Sequence, residues 1–207
     1  RPTPGNATVL EIDVDLAAIH YAEDDLSAAE RHVLDQAEAL RGAEPRVAAA
    51  ALANAGRCLA QIERDHARAE ALLREGRELA ATAGIELVDV PWGLGMVAQA
   101  AGRAEEARRE LARALVLARA SGDPWIESQC LARLAAMALE QGENEVALAS
   151  SGELARLAER MDEPGDTAIA NALAALARLQ QSESGAEADL AVALANLRTA
   201  DSKSYLA

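Results

Sequence analysis

Residues 102–124 read GRAEEARRELARALVLARASGDP, and the reading of this stretch decides the fold. Its apolar members Leu111, Ala114, Leu115 and Ala118 recur at steps of three and four, which places them on one face of an α-helix. Glu105 and Glu106 with Arg109 are ordinary surface pairs at helical spacing. The segment then stops and restarts. Gly122 tolerates the left-handed conformation that ends a helix, Asp123 can cap the next one, and Pro124 suits a first helical turn.

The same pattern returns along the chain. Ala69, Leu73, Leu79 and Ala80 fall on Ala107, Leu111, Leu117 and Ala118 at a step of 38, and on Ala147, Ser151, Leu157 and Ala158 at a further step of 40. Stepping back by 40 from Asp65–Glu70 gives Asp25–Glu30, and stepping forward by 39 from Ala147 gives Ala186, followed by Leu190, Ala193 and Leu197. Each copy reads as two helices around a short polar turn, with Gly102, Gly142 and Gly185 as the expected helix stops. These steps predict ten helices in five antiparallel pairs over residues 8–41, 46–83, 86–121, 124–161 and 165–200, with no sheet. One pair cannot bury such stripes alone, so neighbouring pairs have to stack.

Composition agrees. The apolar half of the chain is mostly Ala and Leu, Phe is absent, and Trp and Tyr occur twice each. That is a helical rather than a strand vocabulary. The net charge of −14 argues against binding a nucleic-acid backbone, which needs a basic footprint. Cys58 and Cys130 lack the spacing of a zinc site or a disulfide framework, so a reducing, cytoplasmic compartment is expected. No apolar run approaches the ~18 residues that a membrane span needs. The chain has no initiator Met and stops in Lys203–Ala207, so it is expected to be a single helical repeat domain, 1–207, cut from a longer multidomain protein.

Leu94-Gly95 followed by Ala107, Leu134-Ala135 by Ala147, Leu173-Ala174 by Ala186 and Leu16-Ala17 by Ala29 repeat one spacing of small residues. Gly56 with Ala69 fits if the turn at 62–65 carries one extra residue. A small residue at each crossing lets two helix backbones approach. This pattern resembles the tetratricopeptide (TPR) repeat, without the large aromatics of that motif and with a longer period. The Ala/Arg-rich wording and the Ala-Ser-Gly-Asp-Pro linker are similar to the helical region of large bacterial signalling regulators, the LuxR/MalT-type activators and related ATPases with adenylate cyclase domains. The resemblance implies an all-α, right-handed superhelical stack of TPR-like pairs. It also implies a non-catalytic sensor or docking arm of a transcriptional or signalling regulator. A free-standing TPR scaffold is the alternative reading, and an enzyme with an unrecognised helical site is the alternative from another class.

Chemistry is sparse. His20, His32 and His66 have no ligand neighbours at metal spacing, no Gly-x-Ser-x-Gly elbow or phosphate-binding loop occurs, and nothing singles out a carboxylate pair. Neither an enzyme, a metal nor a cofactor is expected. In a TPR stack the first helices line the concave face. By that resemblance the inward positions are Tyr21, Arg57, Trp92, Met96, Gln99, Asn171 and Arg178. A protein, a peptide or a small effector is the expected partner there, with arginine favouring an anionic group. Trp92 after Pro91 has a second reading, as a plug between consecutive pairs, and Trp125 after Pro124 has the same two readings. Exposed ends of such a stack also offer surface for a homodimer.

Overall fold

The computed structural model describes residues 26–199. Among the described residues there are nine helices and no strand. They are α1 (Leu26–Leu40), α2 (Pro45–Gln61), α3 (His66–Thr82), α4 (Asp89–Ala100), α5 (Ala104–Ser121), α6 (Pro124–Glu140), α7 (Asn144–Met161), α8 (Pro164–Gln180) and α9 (Ala186–Thr199). Helix α1 is the second member of the first expected pair; its expected partner and Tyr21 lie outside the described residues. The remaining four pairs stand where the repeat puts them. One boundary moves: the third pair begins at Asp89 rather than 86. Pro91 is the third residue of α4, and proline is tolerated only in a first turn, where its missing N–H has no partner inside the helix.

The helix stops from α2 to α8 share one device. The residue after the helix cap takes a left-handed backbone, and the next N–H reaches five carbonyls back, as Arg103 N does to Ala98 O at 2.9 Å and Glu143 N to Ala138 O at 2.8 Å. Within the pairs this position is Glu63, Gly102, Gly142 and Ser182, with φ of 54°, 70°, 71° and 60°. The fifth pair therefore stops at Ser182, not at the expected Gly185, which is also left-handed but lies next to α9. Between pairs the corresponding position is Gly84, Gly122 and Asp162.

The described residues divide into two compact units, 26–117 and 118–199. In the first, α2 packs on α3 and on α4. Leu73 of α3 is fully buried against two glycines: a Cβ on Gly56 would lie 2.6 Å from Leu73 Cγ, and one on Gly93 would lie 2.8 Å from its methyl carbons. The pair α4–α5 repeats the device, since a Cβ on Gly95 would lie 2.7 Å from Leu111 Cγ. The turn between α2 and α3 spans four residues, 62–65, where the turns 101–103 and 141–143 span three. That is the extra residue needed to bring Gly56 onto Ala69, whose carbonyl oxygen would be 2.9 Å from the added Cβ.

In the second unit, α7 packs on α6 and α8, and α9 packs on α8. The register positions of Gly95 and Leu111 are here Ala135 and Ser151, both buried, with Ser151 Oγ donating to Ala147 O at 2.7 Å. In the last pair they are Ala174 and Leu190, and both are only half-buried. Glycine opposite leucine, or alanine opposite serine, fills one crossing; alanine opposite leucine is too large for the same space. A cleft of about 280 Å³ opens there, lined by Asn171, Ala174, Arg178, Asp189, Val192 and Asn196 among others.

Candidate partner-binding site

The first helices α2 and α4 bring Arg57 and Trp92 together. Arg57 sits mid-helix with Asn54 one turn before it and Gln61 one turn after it, so all three share a helix face. Its two terminal nitrogens donate to Asn54 Oδ1 at 2.7 Å and Gln61 Oε1 at 2.8 Å. Nε lies 2.8 Å from Asp89 Oδ1 at the start of α4, an ion pair by distance without hydrogen-bond geometry. The guanidinium carbon is 5.4 Å from the centroid of the Trp92 ring, within cation–π range. Trp92 is 1% exposed and Met96 is also buried, while Gln99 is partly exposed. The tryptophan thus presents its face to Arg57 rather than to solvent. What solvent reaches is the edge of the network: the Arg57 side chain is 15% exposed and Asp89 33%.

Asn171 and Arg178 belong to the second unit, where both line the α8–α9 cleft and Arg178 Nη1 stands 3.8 Å from Asp189 Oδ2. The inward positions that lie among the described residues therefore form two clusters, Arg57 with Trp92, Met96 and Gln99 on α2 and α4, and Asn171 with Arg178 on α8.

Three members of the Arg57 network escaped the reading of the sequence. Asn54 and Gln61 carry a signal that was legible, since both sit at helical spacing from Arg57. Asp89 carries none, because only the packing of α2 on α4 brings it across 32 positions of chain. The amide nitrogen of Asn54 is buried with no hydrogen-bond partner. A second cleft in the first unit, of about 230 Å³, is lined by Arg77, Ile85, Glu86, Val90, Pro91 and Arg113 among others. Its two arginines are already paired, Arg77 with Glu110 and Arg113 with Glu86.

Among the described residues, no three His, Cys, Asp or Glu side chains converge as metal ligands. Burial pushes the Cys58 thiol up, and pushes Cys130 up to about 12, so both stay protonated and weakly nucleophilic at neutral pH. No described helix is long and apolar enough to cross a membrane.

No family model matches the chain, and no curated protein matches it. Solved structures do. A candidate kinesin light chain of Podosopora anserina built of nearly identical TPR-like repeats is similar over 100% of both chains, with a TM-score of 0.61 and 16% identity. A variant of that same protein is similar over 96% of this chain and 97% of its own, again with a TM-score of 0.61, at 15% identity. At that identity the likeness is one of fold: the chain has the all-α fold of TPR-like repeat proteins.

Proposed function

We propose that this chain is a non-catalytic binding module that takes a protein, a peptide or a small effector on the face lined by α2 and α4, with Arg57 at the centre. The observation that carries this reading is the Arg57 network itself. Four groups from two helices converge on one guanidinium at a partly exposed edge, more organisation than helix packing requires. Trp92 and Met96 form the rigid floor, and Gln99 lies on the same helix. An acidic group on the partner exchanges with Asp89, which is exposed enough to swing into water at small cost. Asn171 and Arg178 offer a like combination of amide and guanidinium in the α8–α9 cleft.

Within a cell the module serves as the sensor or docking arm of a larger bacterial signalling regulator. The support for this is the Ala/Arg-rich repeat wording and the Gly122-Asp123-Pro124 linker. A free-standing scaffold has the same fold and the same site. A homodimer through an exposed end of the repeats belongs with either.

Fluorescence tests the site, because Trp92 stacks on Arg57 and reports its displacement. In a Trp125→Phe background, acidic peptides should change the Trp92 signal where neutral and basic peptides of equal length do not. Arg57→Ala should weaken that binding about tenfold or more, and Asp89→Asn should strengthen it by freeing the guanidinium. Indifference to peptide charge in the parent and in both variants would move the site elsewhere.

A further inference from the structure

One position of α9 departs from the rule its counterparts follow. Steps of 38, 40 and 39 residues relate Glu75, Arg113, Glu153 and Val192. The first three each hold an ion pair, with Arg41, Glu86 and Arg119 respectively. In α9 the position is a valine, 62% exposed. The rest of the last pair follows suit. Leu176 of α8 is 36% exposed, whereas its counterparts Cys58, Val97 and Met137 are buried.

Helical geometry shows what this face is made of. At about 100° per residue, Ala188, Ala191 and Ala195 lie opposite the inward Ala186, Leu190, Ala193 and Leu197, and Val192 stands at the edge of that face, beside the α8–α9 cleft. Glu187 and Arg198 lie together along one flank of that outer face, near its two ends. A helix apolar on both sides is a helix meant to be covered on both sides. The small residues let a second backbone come close. The charges say which backbone. Two α9 helices packed antiparallel, centred between Val192 and Ala193, set Glu187 of each copy opposite Arg198 of the other on the shared flank. They also oppose the two helix dipoles favourably. One surface supplies both halves of both ion pairs, which is the self-complementarity that a two-fold interface requires.

We infer that the outer face of α9 is a self-association surface, on which a second copy of this chain packs its own α9 antiparallel across a two-fold axis. This deepens the partner-binding reading and stands apart from the Arg57 site. Arg57→Ala leaves the dimer intact, so failure of one reading is distinguishable from failure of the other.

Sedimentation of the full chain from micromolar to sub-millimolar concentration reads the outcome, with helical circular dichroism as the folding control. The parent should form a reversible dimer. Val192→Glu, a change at an exposed position, should raise the dissociation constant by at least about tenfold. Glu187→Arg should weaken the dimer, and adding Arg198→Glu should restore it. A monomer at every concentration overturns the inference, as does a dimer indifferent to Val192→Glu. A charge swap without restoration overturns the antiparallel pairing. A chain ending at Thr199 that dimerises where the full chain does not would show that residues 200–207 occupy the face instead.

Discussion

Residues 26–117 and 118–199 use the same repeat but close their helix crossings differently. The first unit sets glycine against leucine, Gly56 with Leu73 and Gly95 with Leu111. The second sets Ala135 at the position of Gly95 and Ser151 at that of Leu111, and then Ala174 with Leu190 in the last pair. The ion pairs differ in step. In the first unit Arg41, Arg64, Arg77 and Arg103 bridge to Glu75, Glu30, Glu110 and Glu70 on neighbouring second helices or their flanks. In the second, Arg119 reaches Glu153, but at the next turn Gln181 donates to Glu145 at 3.1 Å in place of an arginine. A constant volume at the crossing, not a particular residue, is what the fold asks for.

The largest expected effect breaks that volume rule. Gly56→Ala drives a methyl into Leu73 Cγ and into the Ala69 carbonyl, which cannot step aside, and should cost about 2–3 kcal/mol in urea denaturation. In the second unit Ser151→Leu should cost about 2 kcal/mol alone, and adding Ala135→Gly should return most of it, since the pair then copies the first unit. Additive losses in that double-mutant cycle would show that the two positions do not share one crossing.

A smaller effect separates the units electrostatically. Hydrogen bonds from Arg74 and Arg103, with their charges, hold the Glu70 carboxyl below the usual range. A carboxyl whose folded pKa is depressed contributes stability above its unfolded pKa of about 4.3, and that contribution is lost as pH falls through the lower folded value. Glu70→Gln should therefore lower stability at neutral pH by at most about 1 kcal/mol, less in high salt, and reduce the acid dependence below that range. Parallel pH profiles for the parent and the variant would assign the acid sensitivity to other carboxylates. The smallest effect is a gain. Asp162 stands left-handed where Gly84 and Gly122 stand in the other linkers, so Asp162→Gly should raise stability by about 0.5–1 kcal/mol. A fall in the thermal midpoint would mean that the aspartate side chain supports that turn.

Much of the fold was legible because the repeat is written in short-range chemistry. Helix faces follow from Leu and Ala at steps of three and four, and linkers such as Gly122-Asp123-Pro124 stop and restart a helix with their own backbone preferences. The stop at Ser182 was missed for a local reason. Serine does not advertise a left-handed backbone, and Gly185 nearby does. The Arg57 network was legible only in its separate members. Arg57 and Trp92 were named as separate inward positions, and their stacking was not foreseen. Asp89 was silent, because a carboxylate one linker away from an arginine carries no pattern.

The sequence by itself determined the all-α class, the period of 38–40 residues, four of the pairs to within a few positions, and the small residues at the crossings. Each is set by contacts within a turn or by a residue's own conformational range. Only the tertiary structure decided that Trp92 faces Arg57 instead of solvent, that Asp89 completes the network, that Ala174 opposite Leu190 leaves a cleft, and that Val192 stands uncovered. Those outcomes depend on which helices come to lie side by side and how closely. That is a property of summed side-chain volumes across the chain, and no single stretch of it carries them.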